Sequence, residues 1–222
     1  MTTSTPERTQ CGANRTTTAA GVVWICAAQF FVAQAVAQSR WTTPFSLATN
    51  FISDLGNTTC GPYGGSYVCS PWHLLMNASF VLQGVIIIIG AVLARQSFAG
   101  RLWGAVVLPL LIVTALGIAG VGLFPEDVNN PAHVVCAGTQ FITGNVAMIV
   151  CGVAARREKR WRTFAAVSAA LGVAGLLATG LFVEGYGLGL GVGGMERVAA
   201  YTLPVWLVMS GVLMVREGGR RV

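Results

Sequence analysis

Six apolar stretches separated by polar or glycine-rich intervals set the pattern of this chain. They run approximately over Thr17–Gln38, His73–Ala94, Leu102–Leu123, His133–Ala154, Phe164–Val183 and Val198–Val215, each near the roughly 20 residues a helix needs to cross a hydrocarbon core. Only helices or a closed barrel satisfy the backbone there, and these stretches lack the short alternation of barrel strands. The predicted fold is all-α: a polytopic membrane protein, a six-transmembrane-helix bundle. Residues 17–215 form one membrane domain between a polar tail, residues 1–16, and a short basic tail, residues 216–222.

The longest connection carries a further amphipathic segment. Phe45, Ala48, Ile52 and Leu55 recur at helical spacing, while Asn50, Ser53 and Asp54 fall on the opposite face and Leu47 breaks the pattern. A short helix or re-entrant segment is predicted over Pro44–Leu55, ended by Gly56.

Charge adds an orientation. Twelve of the fourteen bases lie in alternate gaps: Arg8 and Arg15 before the first stretch, Arg95 and Arg101 after the second, Arg156, Arg157, Lys159, Arg160 and Arg162 after the fourth, and Arg216, Arg220 and Arg221 after the sixth. The positive-inside rule places these gaps and both termini in the cytoplasm. The other connections hold only Arg40 and Arg197 as bases, carry Asp54, Glu126, Asp127, Glu184 and Glu196, and are expected outside. Composition agrees, with 54% hydrophobic residues, 10% charged residues and a mean hydropathy of +0.67. The net charge of +6 calls for no nucleic acid, because topology accounts for the bases and anionic inner-leaflet lipid receives them. Membrane lipids are the expected partners, and the sequence sets no oligomeric state. The first stretch is read as retained rather than cleaved after Ala-Val-Ala, since retention preserves the charge alternation.

Cysteines divide into two groups. Cys60 and Cys69 enclose CGPYGGSYVC, whose proline and glycines permit a tight turn, and on the outer side this spacing suits a disulfide. Cys26, Cys136 and Cys151 fall within helices as small hydrophobes, and Cys11 sits in the polar tail without an evident partner.

Both histidines of the chain open helices on the expected outer side. Ser70-Pro71 predicts Ser70 as the cap before His73, with Asn77 one turn further on, and Asn129 or Asn130 with Pro131 predicts the cap before His133. Asp54, Ser53, Asn50, Asp127, Glu196 and Arg197 lie at similar depth, so one outward polar pocket is expected to collect them. His73, His133, Asp54 and Glu196 are the candidate catalytic groups. Two imidazoles and a carboxylate, His73, His133 and Asp54, also make a donor set for a divalent, zinc-like metal that activates water; metal-free, one histidine serves as base. Arg197, Ser53, Asn50, Asn77 and Asp127 form the candidate substrate-binding set, with Arg197 at an anionic headgroup and Glu196 orienting it. The plainer alternative gives each histidine a loop carbonyl and pairs Arg197 with Glu184 or Asp127. Six glycines from Gly185 to Gly194, interleaved with Leu188, Leu190 and Val192, read as a flexible lip over a lipid-accessible cavity.

The chain resembles the six-helix membrane family catalogued as domain of unknown function 998. The resemblance rests on NFISDLG from Asn50 to Gly56, on Cys60-Gly61 and Cys69-Ser70-Pro71 leading into His73 and Asn77, on GLFPED from Gly122 to Asp127 with His133, and on Glu196-Arg197. It implies six spans and weight on these outer residues, and it carries no activity. The family is also distantly similar to eukaryotic six-span proteins associated with lipid remodelling.

Three classes of function remain. The first is a hydrolase-like enzyme at the outer leaflet, acting on a lipid ester or phosphate. Hydrolases of the ceramidase superfamily use a comparable His, Asp and Ser inventory, but this chain lacks their seven helices and H-x-x-x-H pair. The second is a binder or translocator of a lipid or small amphiphile, gated by the glycine-rich lip. The third is a non-catalytic structural membrane protein.

Overall fold

The apolar stretches fold as helices in the computed structural model, which describes residues 6–95 and 102–219, with the backbone alone at 6–14 and 219. Arg101, Arg220 and Arg221 lie outside the described residues, as do the side chains of Arg8 and Cys11. Helices α1 (Pro6–Ile25) and α2 (Gln29–Ser39) join through a 3₁₀ turn at Cys26–Ala28, and Arg15–Ser39 forms the first span. The other spans are built on α3 (His73–Ala94), α4 (Leu108–Leu123, preceded by a π-helical turn at Trp103–Val107), α5 (Glu126–Ala155), α6 (Arg162–Val183) and α7 (Val192–Gly219). Six helices among the described residues are thus long and apolar enough to cross a membrane.

Several ends differ from the expected ones. The polar tail is already helical from Pro6, and α7 starts at Val192 within the glycine-rich connection. Helix α5 begins at Glu126 and breaks at Asn129 (φ −147°, ψ 78°), whose Oδ1 accepts the Ala132 N–H at 3.2 Å. Asn129 therefore caps the segment that carries His133, while an added turn precedes it. Ser70 is not the cap of α3, because its hydroxyl donates to Leu55 O at 2.7 Å. That bond ties the long connection to the head of α3.

Each span packs against its sequence neighbour, and α1 closes on α7, so the helices form a ring. Gly21 and Gly211 allow that closure: a Cβ on Gly211 would lie 2.5 Å from Gly21 O, and one on Gly21 would lie 2.6 Å from Gly211 O. Trp24 stands inside the ring, 5.5 Å from Trp206 and 6.3 Å from Trp103 between ring centroids, and fully buried Ile87, Leu111, Met148 and Leu207 fill the same core. Polarity runs opposite to that of a water-soluble domain. Leu82, Ile89, Leu116, Ile142 and Leu177 are exposed, whereas Gln83, Thr114, Asn145, Ser168 and Ser210 are buried. Interhelical bonds satisfy much of that interior, including Thr114 to Thr143 at 2.7 Å, Trp206 Nε1 to Ser168 at 2.8 Å and Thr202 to Asn145 at 3.1 Å. The protein is an integral membrane bundle.

At the acidic end of the ring, Cys60 and Cys69 form a disulfide that closes a small antiparallel hairpin, β1 (Gly61–Tyr63) and β2 (Ser66–Val68), turned at Gly64-Gly65. The disulfide was expected, and the strand pairing is an addition to the all-α plan. The segment expected as a helix over Pro44–Leu55 is instead a turn at 47–49 and a 3₁₀ turn at Ser53–Gly56. The amides of Ser46, Phe51 and Ile52 and the carbonyls of Leu47 and Asn50 are bonded to side chains, which leaves no continuous i to i−4 ladder.

Gly211→Val is expected to force α1 and α7 apart and lower the thermal midpoint in detergent, at a cost of about 1–3 kcal/mol for overpacking. Gly138→Ala, where an added Cβ meets nothing within 4 Å, is the matched control and leaves the midpoint level or slightly raised. Equal losses in the two variants would contradict the close α1–α7 approach.

Candidate functional site

The site is built where residues 45–57 cross the mouth of the ring. Their backbone groups need partners that an irregular backbone does not fully supply, and side chains inside and outside the loop provide them. Asn50 Oδ1 accepts the Ser46 N–H at 2.9 Å, and Asp54 Oδ2 accepts the Phe51 N–H at 2.7 Å. Glu196, on the first turns of α7, accepts the Ile52 N–H through Oε2. Next to it, Arg197 donates through Nη1 to Asn50 O at 2.7 Å, Gly193 O at 2.8 Å and Leu47 O at 3.1 Å, with its guanidinium 5.6 Å from the centre of the Phe45 ring. The glycine-rich connection packs onto the same loop: Gly193 N–H donates to Ala48 O at 2.9 Å, and a Cβ on Gly191 would collide with that carbonyl.

Beneath this strap two carboxyl groups meet. Asp54, 3% exposed, lies within interaction range of the carboxyl group of Glu126, which is 8% exposed and opens α5. Two buried carboxyl groups at such range resist ionising together, which favours one proton held between them. Burial pushes the Asp54 carboxyl above its ordinary value, opposed by the Phe51 N–H, the Glu126 and Asn50 side chains and the Arg197 charge. Tyr63 from the hairpin donates to Glu126 O at 3.1 Å. Glu126 Oε1 and Arg197 Nε are buried without a hydrogen-bond partner.

The remaining predicted residues serve the backbone. Asp127 Oδ2 accepts the N–H and hydroxyl of both Thr58 and Thr59, at 2.8–3.0 Å. Asn77 Nδ2 donates to Gly56 O at 2.8 Å. His73 Nδ1 lies 2.9 Å from Ser70 O, and His133 Nδ1 lies 2.9 Å from Phe124 O, so each ring donates through Nδ1 to a loop carbonyl. That arrangement leaves Nε2 as the basic nitrogen. Among the described residues, however, no group of three or more His, Cys, Asp and Glu is arranged to hold a metal ion. His73, His133 and Asp54 are thus not gathered as the zinc-like donor set expected of them. Asp54, Ser53, Asn50, Glu196 and Arg197 do come together. Arg197 engages loop carbonyls rather than Glu184 or Asp127.

A family model described as "Protein of unknown function (DUF998)" matches residues 25–213, a range that contains every one of these side chains. The chain belongs to the DUF998 family. No curated protein and no solved structure matches it.

Glu126 is the site residue of this DUF998 protein that sequence reasoning passed over. Adjacent acids at the head of a helix point in different directions: Asp127, the expected one, turns to Thr58 and Thr59, and Glu126 turns inward toward Asp54. Asn57, 1% exposed with both amide atoms unpartnered, was also missed. Its place one residue beyond the NFISDLG run was the available signal.

A raised carboxyl favours folding below its unfolded value, 3.8 for Asp54, and loses that contribution as pH climbs through the folded value. Thermal midpoints of the DUF998 protein are thus expected to fall as pH rises above about 4. Asp54→Asn keeps an acceptor for the Phe51 N–H and flattens the slope; an unchanged slope would contradict the shared proton.

Proposed function

We propose that the acidic end of the bundle faces outward and forms a hydrolase-like site for a lipid or amphiphile of the outer leaflet, with Asp54 and Glu126 as its acid–base pair. The observation that carries this reading is the burial of two neighbouring carboxyl groups, Asp54 and Glu126, under the 45–57 strap, with Glu126 Oε1 left without a partner. Two carboxyl groups that share a proton supply an ionised base and a protonated acid side by side, the division of labour that ester hydrolysis needs. The base takes a proton from water as the water oxygen attacks the acyl carbon or the phosphorus. The acid gives its proton to the departing alcohol oxygen, and the pair again holds one proton.

The outward orientation is supported by the bases gathered at the other end. An amphiphilic substrate is supported by the rim, where Leu47, Leu188 and Leu190 are all more than half exposed around the polar interior. Access requires the 47–50 turn to part from Gly191 and Gly193. Glu196 and Arg197 favour a second, structural reading for their own positions, because their hydrogen bonds go to backbone groups. Arg197 is accordingly a fastening group in this proposal and not the headgroup ligand.

Purified protein would be assayed in mixed micelles against acyl-ester and phosphoester lipids. Asp54→Asn and Glu126→Gln are each expected to lower kcat by about 10²–10⁴-fold, the usual contribution of a general acid or base. His73→Gln and His133→Gln should retain turnover if they fold. Native turnover in Glu126→Gln, or no turnover of either lipid class by the native protein, would sink the proposal.

A further inference from the structure

At the opposite end of the ring, the turn between α5 and α6 carries five bases within seven residues: Arg156, Arg157, Lys159, Arg160 and Arg162. All five are exposed. Arg160 is the one already neutralised, bonded to Glu158 at 2.9 Å, lying 3.6 Å from Glu217 and stacked 5.1 Å from the Trp161 ring. Among the described residues, no ion pair involves Arg156, Arg157, Lys159 or Arg162.

The depth of these four bases follows from the helices they join. Val153 on α5 and Val167 on α6 are the nearest exposed large apolar side chains, at 40% and 36%. With a rise of 1.5 Å per residue, Arg156 stands about 5 Å beyond Val153, and Arg162 about 8 Å before Val167. The headgroup layer on each side of a bilayer is about 5–8 Å thick. Trp161, half-buried and packed on Phe164 at 5.9 Å, occupies the interfacial level that tryptophan favours and holds the turn against the bundle. Four cations with no ion pair among the described residues are thus at a height that suits contact with phosphates.

We infer that the α5–α6 turn is a docking surface for anionic phospholipid headgroups of the adjoining leaflet, with Arg156, Arg157, Lys159 and Arg162 contacting phosphate. This goes beyond general topology, because it singles out one turn and four side chains. It is also independent of the acidic end, so either idea can fail alone.

The test is thermal unfolding of the detergent-solubilised full chain, with phosphatidylglycerol or phosphatidylcholine added at equal micellar fraction. Phosphatidylglycerol is expected to raise the native midpoint several degrees above phosphatidylcholine. The variant R156Q/R157Q/K159Q/R162Q should lose most of that difference, while R95Q, which removes an exposed base at another turn, keeps it. Equal effects of the two lipids, an unchanged difference in the fourfold variant, or an equal loss in R95Q would overturn the docking surface. Inorganic phosphate that reproduces the phosphatidylglycerol shift would overturn it in favour of a free-anion site. Should the fourfold variant not fold, R156Q/R157Q and K159Q/R162Q are read in the same way, each expected to lose part of the difference.

Discussion

The backbone of residues 46–56 takes many of its hydrogen bonds from side chains, and the acidic end of the bundle is organised around that need. An amide buried beside lipid without a partner is costly, and so is a carboxylate. Each answers the other here: Phe51 and Ile52 give their N–H groups to Asp54 and Glu196, while Leu47 and Asn50 give their carbonyls to Arg197. Charges that would be expensive alone become the fastening of a loop. Removing one member leaves its partner exposed to the same penalty, which is why the cluster behaves as a unit rather than as separate contacts.

The helices beneath provide a frame of a different kind. Lipid solvates apolar surface as well as a protein core does, so the ring is held by close backbone approach and by hydrogen bonds between helices. Gly21 against Gly211 represents the first means, and Thr114 with Thr143 and Trp206 with Ser168 represent the second. Because α1 closes on α7, the acidic mouth is bordered by the beginning of the last helix and by loops from the first half of the chain. Glu196 and Arg197 reach residues 47–52 for that reason.

The spans were legible in the sequence because length and hydropathy alone decide what crosses a bilayer. The disulfide was legible because Cys60 and Cys69 flank a turn-forming segment. Residues 44–55 show where such inference stops. Phe45, Ala48, Ile52 and Leu55 do recur at helical spacing, yet periodicity records which residues face inward and not which groups take up the amides. Partners nearly 150 residues away, Glu196 and Arg197, decide that. Asp127 and Glu126 show a related limit: at a helix start the two point apart, and only the position of Thr58 and Thr59 settles which acid turns to them and which turns inward. Ser70 had the composition of a cap, but Leu55 O lies within reach of its hydroxyl.

Chain order has a consequence for biogenesis. A ribosome delivers residues 46–56 to the translocation machinery long before it has made Glu196 and Arg197, so this stretch must wait, incompletely bonded, while four further helices are inserted. The nascent protein completes its mouth only when the terminal helix arrives, and interruption of synthesis before that point would leave the long loop without its anchors.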